Sequence, residues 1–382
     1  MSYFTLPTNN NLFNIDDLYI KTSNNISNIE KNILSSVLSN KVITFKHKID
    51  DHKSEWDYYK KFTNPYEFIH SYIPGINKSV AKYKPISRAY YKFIELINTY
   101  KLLNNFNIIN SFHLAEGPGG FIEALASTRN NIEDKYIGIT LLSNSNDIPG
   151  WKKTNNLFDK YKNIFIEKGK LKDGDILNKE NFISCYNKYK NSMNIITADG
   201  GFDFSINFNT QEEISTKLIF VEILYAITLQ SYNGHFILKM FDCYTNVSYK
   251  IIYFLTFFYN KVSISKPCTS RYANSEKYIV CKNFKYTSSD FLYEKIIKVF
   301  NYITNKKYIT DIISINIPLY YIIKINEINN ILAQQQIDTI TNTIKLINNK
   351  CYNKQNELKI KYIEKCIYWC KINNVNYNTN LI

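Results

Sequence analysis

The sequence predicts an α/β fold in which a mostly parallel sheet carries helices on both faces. Short apolar runs of strand length alternate with longer helical patterns through the middle of the chain, and one of these strands leads through a glycine-rich turn into a helix. The strand candidates are Ile108–Leu114, Tyr136–Leu142, Asn163–Ile166, Asn194–Ala198, His235–Met240, Lys261–Ser265 and Glu276–Cys281. The helix candidates of the same region are Ser87–Ile97, Phe121–Ser127, Ile214–Gln230 and Ser248–Tyr259.

The sequence pattern divides the chain into three segments. We expect an N-terminal extension over residues 1–75, the α/β domain over residues 76–290 and a mostly helical C-terminal region over residues 291–382. The predicted helices of the two outer segments are Asn24–Leu38, Ser54–Tyr72, Asp338–Asn348 and Asn356–Asn373.

The composition favours a polyanionic partner. The 47 Lys and Arg residues outnumber the 33 Asp and Glu residues, which gives a net charge of +14 and suits nucleic acid. Met1–Asn10 lacks the apolar core of a signal peptide, and neither Ile251–Tyr259 nor Ile312–Ile323 is long and apolar enough to span a bilayer. The cysteines lack metal-site spacings, which predicts reduced thiols and no metal. We therefore expect a soluble protein in a reducing, intracellular compartment.

The glycine-rich turn is the first candidate binding site. It runs Ala115-Glu116-Gly117-Pro118-Gly119-Gly120-Phe121, between a predicted strand and a predicted helix, where glycines let the backbone approach a nucleotide-like ligand. The turn matches neither GxGxxG nor GxxxxGK[ST], which disfavours a dinucleotide fingerprint and a P-loop. A plain strand–helix connection remains the alternative.

Four charged residues form the second candidate site: Lys92, Asp199, Lys239 and Glu276. Lys239 interrupts the apolar strand Phe236–Phe241, where a charge is costly unless it is paired. Taken singly, Lys92 could be a solvated helix lysine, Asp199 a turn residue and Glu276 the start of a strand.

A Lys–Asp–Lys–Glu cluster suits the transfer of a methyl group to a ribose hydroxyl. The hydroxyl is a weak acid, so it needs a base, and a desolvated lysine near a second cation can serve. Carboxylates then orient the lysines, and no metal is required. Spacing alone does not show that the four side chains meet.

Several segments together resemble the FtsJ-like ribose 2′-O-methyltransferases of RNA, most closely the branch that acts next to the mRNA cap. The resemblance covers about Pro85 to Phe284 and would make the fold a Rossmann-like methyltransferase sheet. The segments that carry it are Ser87–Lys92, Glu116–Phe121, Lys172–Ile176, Ala198–Ser205, Gly234–Asp242 and Lys266–Cys281.

The resemblance implies a role for each candidate residue. Lys239 would be the base, Asp199 and Glu276 would hold the lysines, and Lys92 would lower the basicity of Lys239 and steer the ribose. S-adenosylmethionine would lie on the turn Ala115–Phe121 (Ala115, Glu116, Gly117, Pro118, Gly119, Gly120, Phe121), with Asp175 near its adenine. Arg88, Ser270 and Arg271 would lie towards RNA.

Two departures from the family pattern affect the cofactor site. Many relatives have an acidic residue at the position of His113, a role that Glu116 could take over in part. Gly138–Leu141 supplies no acid at the end of the second strand to hold the cofactor ribose.

The sequence leaves substrate and setting open. The expected substrate is capped mRNA, with a capping enzyme or an RNA polymerase as possible partners. The alternatives are ribosomal or transfer RNA as the substrate, or a non-catalytic RNA-binding subunit of a capping or polymerase complex. The composition and outer segments also resemble relatives from large AT-rich DNA viruses. The expected place of action is then the cytoplasm, including a viral factory or virion, or the nucleus.

Overall fold

Ten strands and twelve helices form in the part of the chain that the computed structural model describes, which is residues 2–30, 34–143, 148, 150–201 and 210–381. The strands are β1 (Ser2–Thr5), β2 (Leu18–Ser23), β3 (Asn110–Leu114), β4 (Lys135–Ile139), β5 (Ile164–Glu167), β6 (Met193–Ala198), β7 (Gln230–Met240), β8 (Tyr259–Lys266), β9 (Lys277–Phe284) and β10 (Tyr308–Ile313). The helices are α1 (Ser27–Glu30), α2 (Ser36–His47), α3 (Lys53–Tyr59), α4 (Ala89–Tyr100), α5 (Gly120–Arg129), α6 (Asn155–Lys160), α7 (Lys179–Tyr189), α8 (Gln211–Leu229), α9 (Asn246–Phe258), α10 (Tyr293–Ile303), α11 (Leu319–Asn349) and α12 (Tyr352–Ile372).

The main sheet has eight strands in the order β1-β8-β9-β7-β6-β3-β4-β5. Strands β5, β4, β3, β6 and β7 are parallel, whereas β9 runs antiparallel between β7 and β8, and β1 pairs antiparallel with β8. This arrangement confirms the predicted α/β class. From β3 the chain proceeds outwards to β4 and β5, and it then returns to place β6 on the other side of β3. The crevice at the carboxyl ends of β3 and β6 is therefore the switch point at which such sheets bind ligands.

Side chains alternate between two cores on opposite faces of the sheet, as the period of two in a β-strand requires. Phe236 and Leu238 of β7 face a core that includes α8 and α9, and Ile237 faces a second core that includes α4, α5 and α12. The strands are buried on both faces, so their sequences are almost continuously apolar. A single lysine in such a strand is therefore conspicuous.

The outer segments pack onto this sheet. Strand β1 forms its edge, β2 pairs with β10 in a two-stranded sheet, and α12 contributes Ile363 and Trp369 to the core beneath α4. The division of the chain at residues 75 and 290 stays a prediction. None of the seven cysteines, each within the described ranges, forms a disulfide bond. Within those ranges, no helix has both the length and the apolar character needed to cross a bilayer.

Two predicted helices of the N-terminal segment are wrong in extent. The predicted helix Ser54–Tyr72 ends as α3 at Tyr59 and continues only as single 3₁₀ turns. Pro65 lacks a backbone N–H, so a continuous helix through Tyr72 is disfavoured. The predicted helix Asn24–Leu38 is divided between α1 and α2. Ser35 precedes α2 and its hydroxyl bonds Asn326 at 2.5 Å, so a tertiary contact fixes the start of that helix. Residues 31–33 lie outside the described ranges.

The sequence did not predict β1, β2 or β10, the helices α6, α7 and α10, nor the full 31 residues of α11. Phe202–Ser205, the last part of one family-like segment, also lies outside the described residues.

Candidate active site

Four elements bring the predicted charged residues to one end of the main sheet. Asp199 directly follows β6, and Lys239 is the last residue but one of β7. Glu276 directly precedes β9, and Lys92 lies in the first turn and a half of α4. The parallel pairing of β6 with β7, and the register that places Lys239 opposite Tyr278 of β9, put these positions side by side.

The four side chains form two ion pairs. Lys92 Nζ donates to Glu276 Oε2 at 2.8 Å. Lys239 Nζ donates to the backbone carbonyl of Asp199 at 2.6 Å and lies 3.3 Å from its Oδ1. All four side chains are 9–14% exposed, so the pairs are largely removed from water while one side of the cluster remains accessible.

Tyr278 joins the two ion pairs, and the sequence analysis assigned it no role. Its buried hydroxyl donates to Asp199 Oδ1 at 2.8 Å and lies 3.4 Å from Lys92 Nζ, within hydrogen-bond range. The signal available in the sequence is the spacing, since residues two positions apart in an extended chain point to the same side. Ser270 adds a second support, because its hydroxyl donates to Glu276 Oε1 at 2.7 Å.

The charges of the cluster control its protonation. Burial would raise the pKa of Glu276, but the charges of Lys92, Lys239 and Lys266 outweigh it and hold that pKa well below its usual range. Burial would likewise lower the pKa of Lys239, but Asp199, Glu276 and Glu222 outweigh it, and the pKa is raised. The resemblance implied that Lys92 lowers the basicity of Lys239. That role of Lys92 stays a prediction.

The glycine-rich turn lies beside this cluster, between β3 and α5. Gly119 adopts φ +98°, a left-handed conformation that strains any residue with a Cβ, and this turns the chain directly into the helix. Because β3 pairs with β6, Leu114 lies opposite Ala198, so the turn and Asp199 both line the switch-point crevice.

Two buried carboxyl groups line the same crevice. Glu116 Oε1 accepts a hydrogen bond from Thr197, and its Oε2 lies 3.3 Å from His113 Nδ1 but accepts no hydrogen bond among the described residues. Glu222 of α8 packs against Gly200, and its Oε1 likewise lacks a partner within the described ranges. Burial raises the pKa of both carboxyl groups. Carboxyl oxygens without partners suit a ligand that carries positive charge, such as the ammonium and sulfonium groups of S-adenosylmethionine.

Asp175 lies on the loop that follows β5. Its carboxylate accepts the Leu177 N–H at 2.9 Å, and the loop is tied to the end of β4 by a hydrogen bond from Leu142 N–H to Asp173 O at 2.7 Å. Asp175 also lines an open cleft of about 520 Å³ with Lys179 and Lys217. The structure thus places Asp175 near the carboxyl end of β4, apart from the lysine–carboxylate cluster.

Comparison with known proteins identifies the family. A model of the FtsJ-like methyltransferases matches residues 85–284, just over half of the chain. The chain belongs to the FtsJ-like methyltransferase family. The matched range contains the glycine-rich turn and all four residues of the lysine–carboxylate cluster.

Curated relatives of this FtsJ-like chain include cap-specific mRNA (nucleoside-2′-O-)-methyltransferase 1 of Danio rerio and of Homo sapiens. The identities are 37% over 177 residues and 36% over 178 residues, which cover 44% of this chain and 21% of each relative. The chain thus spans about a fifth of the length of these relatives. Among solved structures, a ribosomal RNA methyltransferase from Plasmodium falciparum matches with 23% identity and a TM-score of 0.37, covering 52% of this chain and 97% of that one.

The three residues expected to face RNA differ in exposure. The side chains of Arg88 and Arg271 in the FtsJ-like domain are 29% and 31% exposed. Ser270 is 1% exposed and bonds Glu276, so the structure makes it a support of the cluster and not a surface residue. Sequence spacing placed it beside Arg271 but could not show its direction.

A C-terminal residue outside the family match supports the loop that carries Ser270. The buried Glu95 of α4 accepts the N–H groups of Cys268 at 2.7 Å and Thr269 at 3.2 Å, and the indole N–H of Trp369 at 3.2 Å. Helix α12 is therefore connected through one carboxylate to the loop next to Glu276.

We expect Trp369→Phe to lower the free energy of unfolding by about 1–3 kcal/mol, because it leaves a buried carboxylate with one donor fewer. Urea unfolding followed by circular dichroism measures the change. Tyr368→Phe is the matched control, since Tyr368 is 64% exposed on the same helix. Equal losses in the two variants would show that the indole hydrogen bond contributes nothing.

Proposed function

We propose that this chain transfers a methyl group from S-adenosylmethionine to a ribose 2′-hydroxyl of RNA, at the first transcribed nucleotides next to the mRNA cap. The observation that carries the proposal is the cluster of Lys92, Asp199, Lys239 and Glu276 beside the glycine-rich turn. The cap-specific 2′-O-methyltransferases among its relatives support the choice of RNA and of the cap-proximal ribose.

Ala115–Phe121 would hold the cofactor at the switch point, with Asp175 on the adenine side. Burial raises the pKa of Glu116 and Glu222, and the positive charge of the bound cofactor would favour their ionised forms. S-adenosylmethionine supplies an electrophilic methyl group on a sulfonium sulfur. Bound in the crevice between β3 and β6, the cofactor would lie at the end of the sheet that carries Lys239.

Lys239 would accept the proton of the ribose hydroxyl. Its Nζ is held by the carbonyl and the carboxylate of Asp199, and a lysine in its neutral form has a lone pair for the proton. Lys92, fixed by Glu276, would donate a hydrogen bond to the ribose and keep the oxygen in line with the methyl carbon. Tyr278, whose hydroxyl contacts both pairs, would help to position the two lysines for the transfer.

The experiment compares capped and uncapped RNA of one sequence with labelled S-adenosylmethionine, followed by nuclease mapping of the labelled nucleotide. We expect label on the first transcribed nucleotides of the capped RNA only. Equal labelling of both RNAs would move the substrate to ribosomal or transfer RNA. RNA binding without methyl transfer and without cofactor binding would make the chain a binding subunit of a capping or polymerase complex.

A further inference from the structure

Two guanidinium groups share one buried carboxylate beside the active site. Arg271 donates to Glu67 from Nη2 to Oε1 at 2.6 Å and from Nε to Oε2 at 3.0 Å. Arg88 Nη1 lies 3.7 Å from the same Oε2, and its Nη2 donates to the carbonyl of Thr269 at 2.9 Å. We call Arg88 and Arg271 the guanidinium pair. The Glu67 carboxylate and the Thr269 carbonyl therefore contact the two guanidinium groups from one side.

The guanidinium pair is more positive than its partner can balance. Glu67 is one carboxylate between two permanent cations, and its side chain is 1% exposed whereas each arginine is about 30% exposed. Burial would raise the pKa of Glu67, but the hydrogen bond from Arg271 and the charge of Arg88 lower it to about 2, so it stays ionised. A guanidinium has five N–H donors, so both arginines keep donors for a ligand on the exposed side.

The position of the pair points to the substrate. Arg88 precedes Lys92 by four residues at the start of α4, so the two lie on the same side of the helix. Arg271 directly follows Ser270, whose hydroxyl holds Glu276. A ligand group bound to the pair would therefore lie next to the lysine that steers the ribose.

The surface next to the pair has the composition of a single-strand RNA site. Lys84 Nζ lies over the ring of Tyr72 at 4.1 Å, and Tyr72 is 47% exposed. Burial and the charge of Arg88 lower the pKa of the nearby His70, and the charges of Arg271 and Lys84 add to this effect against the opposing charge of Glu67. Cations with an exposed aromatic ring bind phosphates and stack on bases.

We propose that the guanidinium pair binds a backbone phosphate of RNA next to the reacting ribose. Glu67 is then the positioning residue that orients both guanidinium groups towards the phosphate. The inference rests on the proposed function for its ligand. Arginine forks match the geometry of phosphate oxygens, and such contacts fix the register of a nucleic acid without reading its sequence. Glu67 precedes the family match, which starts at residue 85, so the N-terminal segment completes the RNA site.

The test measures binding of a short capped, fluorescent RNA by anisotropy at several salt concentrations. Arg271→Lys keeps the charge but loses the fork, and we expect about tenfold weaker binding. Arg271→Gln should also reduce the slope of log K against log salt by about 0.7, the value for one phosphate contact on a single strand. The matched control is Arg129→Lys, for which we expect no change. Arg129 is the last residue of α5, and its guanidinium makes a similar two-point bond to Asp134.

The Glu67→Gln variant distinguishes the effect of guanidinium orientation on RNA binding from the effect of net charge. The change adds one net positive charge, so attraction alone predicts tighter binding, whereas loss of the fixed guanidinium positions predicts weaker binding. We expect weaker RNA binding with unchanged affinity for S-adenosylmethionine, measured by calorimetry. A thermal melt accompanies each variant, and Arg271→Lys decides the question if Glu67→Gln does not fold.

The outcomes distinguish this inference from the proposed function. RNA binding that is as tight in Arg271→Lys and Glu67→Gln as in the wild type overturns the phosphate site, even if methyl transfer is intact. A wild-type protein that binds RNA with the expected dependence on Arg271 but transfers no methyl group retains the phosphate site and refutes the enzymatic proposal.

Discussion

Replacement of Lys239 by Met should reduce methyl transfer to capped RNA by about 10²–10⁴-fold, the range that a positioned general base contributes. Methionine preserves the length and apolar packing of the side chain in β7 but removes the nitrogen that would accept the proton. Because Glu276 and Lys92 remain paired, we expect the fold and the affinity for S-adenosylmethionine to be retained. Single-turnover transfer of a labelled methyl group measures the loss.

The matched control for that experiment is Lys135→Met. Lys135 is an exposed lysine at the amino end of β4, whereas the candidate site lies at the carboxyl ends of the parallel strands. It should transfer at the wild-type rate. A folded Lys239→Met protein that also transfers at the wild-type rate would falsify the assignment of Lys239 as the base.

The second large effect is on the pH dependence of transfer. The base must be neutral to accept a proton, and the pKa of Lys239 is raised because Asp199, Glu276 and Glu222 outweigh the effect of burial. The neutral fraction is then small at pH 7 and grows about tenfold with each pH unit below that pKa. Single-turnover transfer should therefore rise about 100-fold from pH 6 to pH 8, provided that chemistry is rate-limiting.

The affinities for both ligands must be measured over the same pH range as the transfer rate. Affinities for RNA and for S-adenosylmethionine at each pH show whether the rise belongs to the chemical step. A log rate that stays flat from pH 6 to pH 8, with both ligands saturating, is incompatible with a lysine that is charged in the resting protein. A plateau reached below pH 8 would instead mean that bound ligands lower the pKa of Lys239.

Sequence reasoning could identify those residues of the candidate site whose chemistry does not fit the local sequence pattern. Lys239 is a charge inside a strand that is otherwise apolar, and such a position needs a partner. The glycine-rich turn can also be recognised in the sequence. Gly119 occupies a backbone conformation that other residues rarely adopt, so the turn requires a glycine there. Both signals lie within about ten residues of sequence.

Tyr278, Glu222 and Glu67 gave no comparable signal. A tyrosine in a strand and a glutamate in a helix are ordinary residues in their local patterns. What distinguishes them is the partner: Asp199 for Tyr278, Gly200 for Glu222 and Arg271 for Glu67. Glu67 and Arg271 are 204 positions apart in the chain.

The fold divides in the same way. The alternation of strands and helices between residues 108 and 281 followed from apolar periodicity, and the structure has a strand or helix at each predicted place. The predicted helix Ser54–Tyr72 ignored Pro65, which local rules should have caught. Strands β1, β2 and β10 are short, and their pairing with distant segments defines them more than their own residues do.

By itself, the amino-acid sequence determined the α/β alternation, the sharp turn at Gly119 and the placement of charged residues at the ends of elements. These features depend on interactions between residues close in the chain. Only the tertiary structure decided that Lys92 pairs with Glu276, 184 positions away, and that Tyr278 joins this pair to Asp199. Such contacts depend on strand order and helix packing, which are set by the burial of the whole sheet. They therefore produce no periodic pattern in the local sequence.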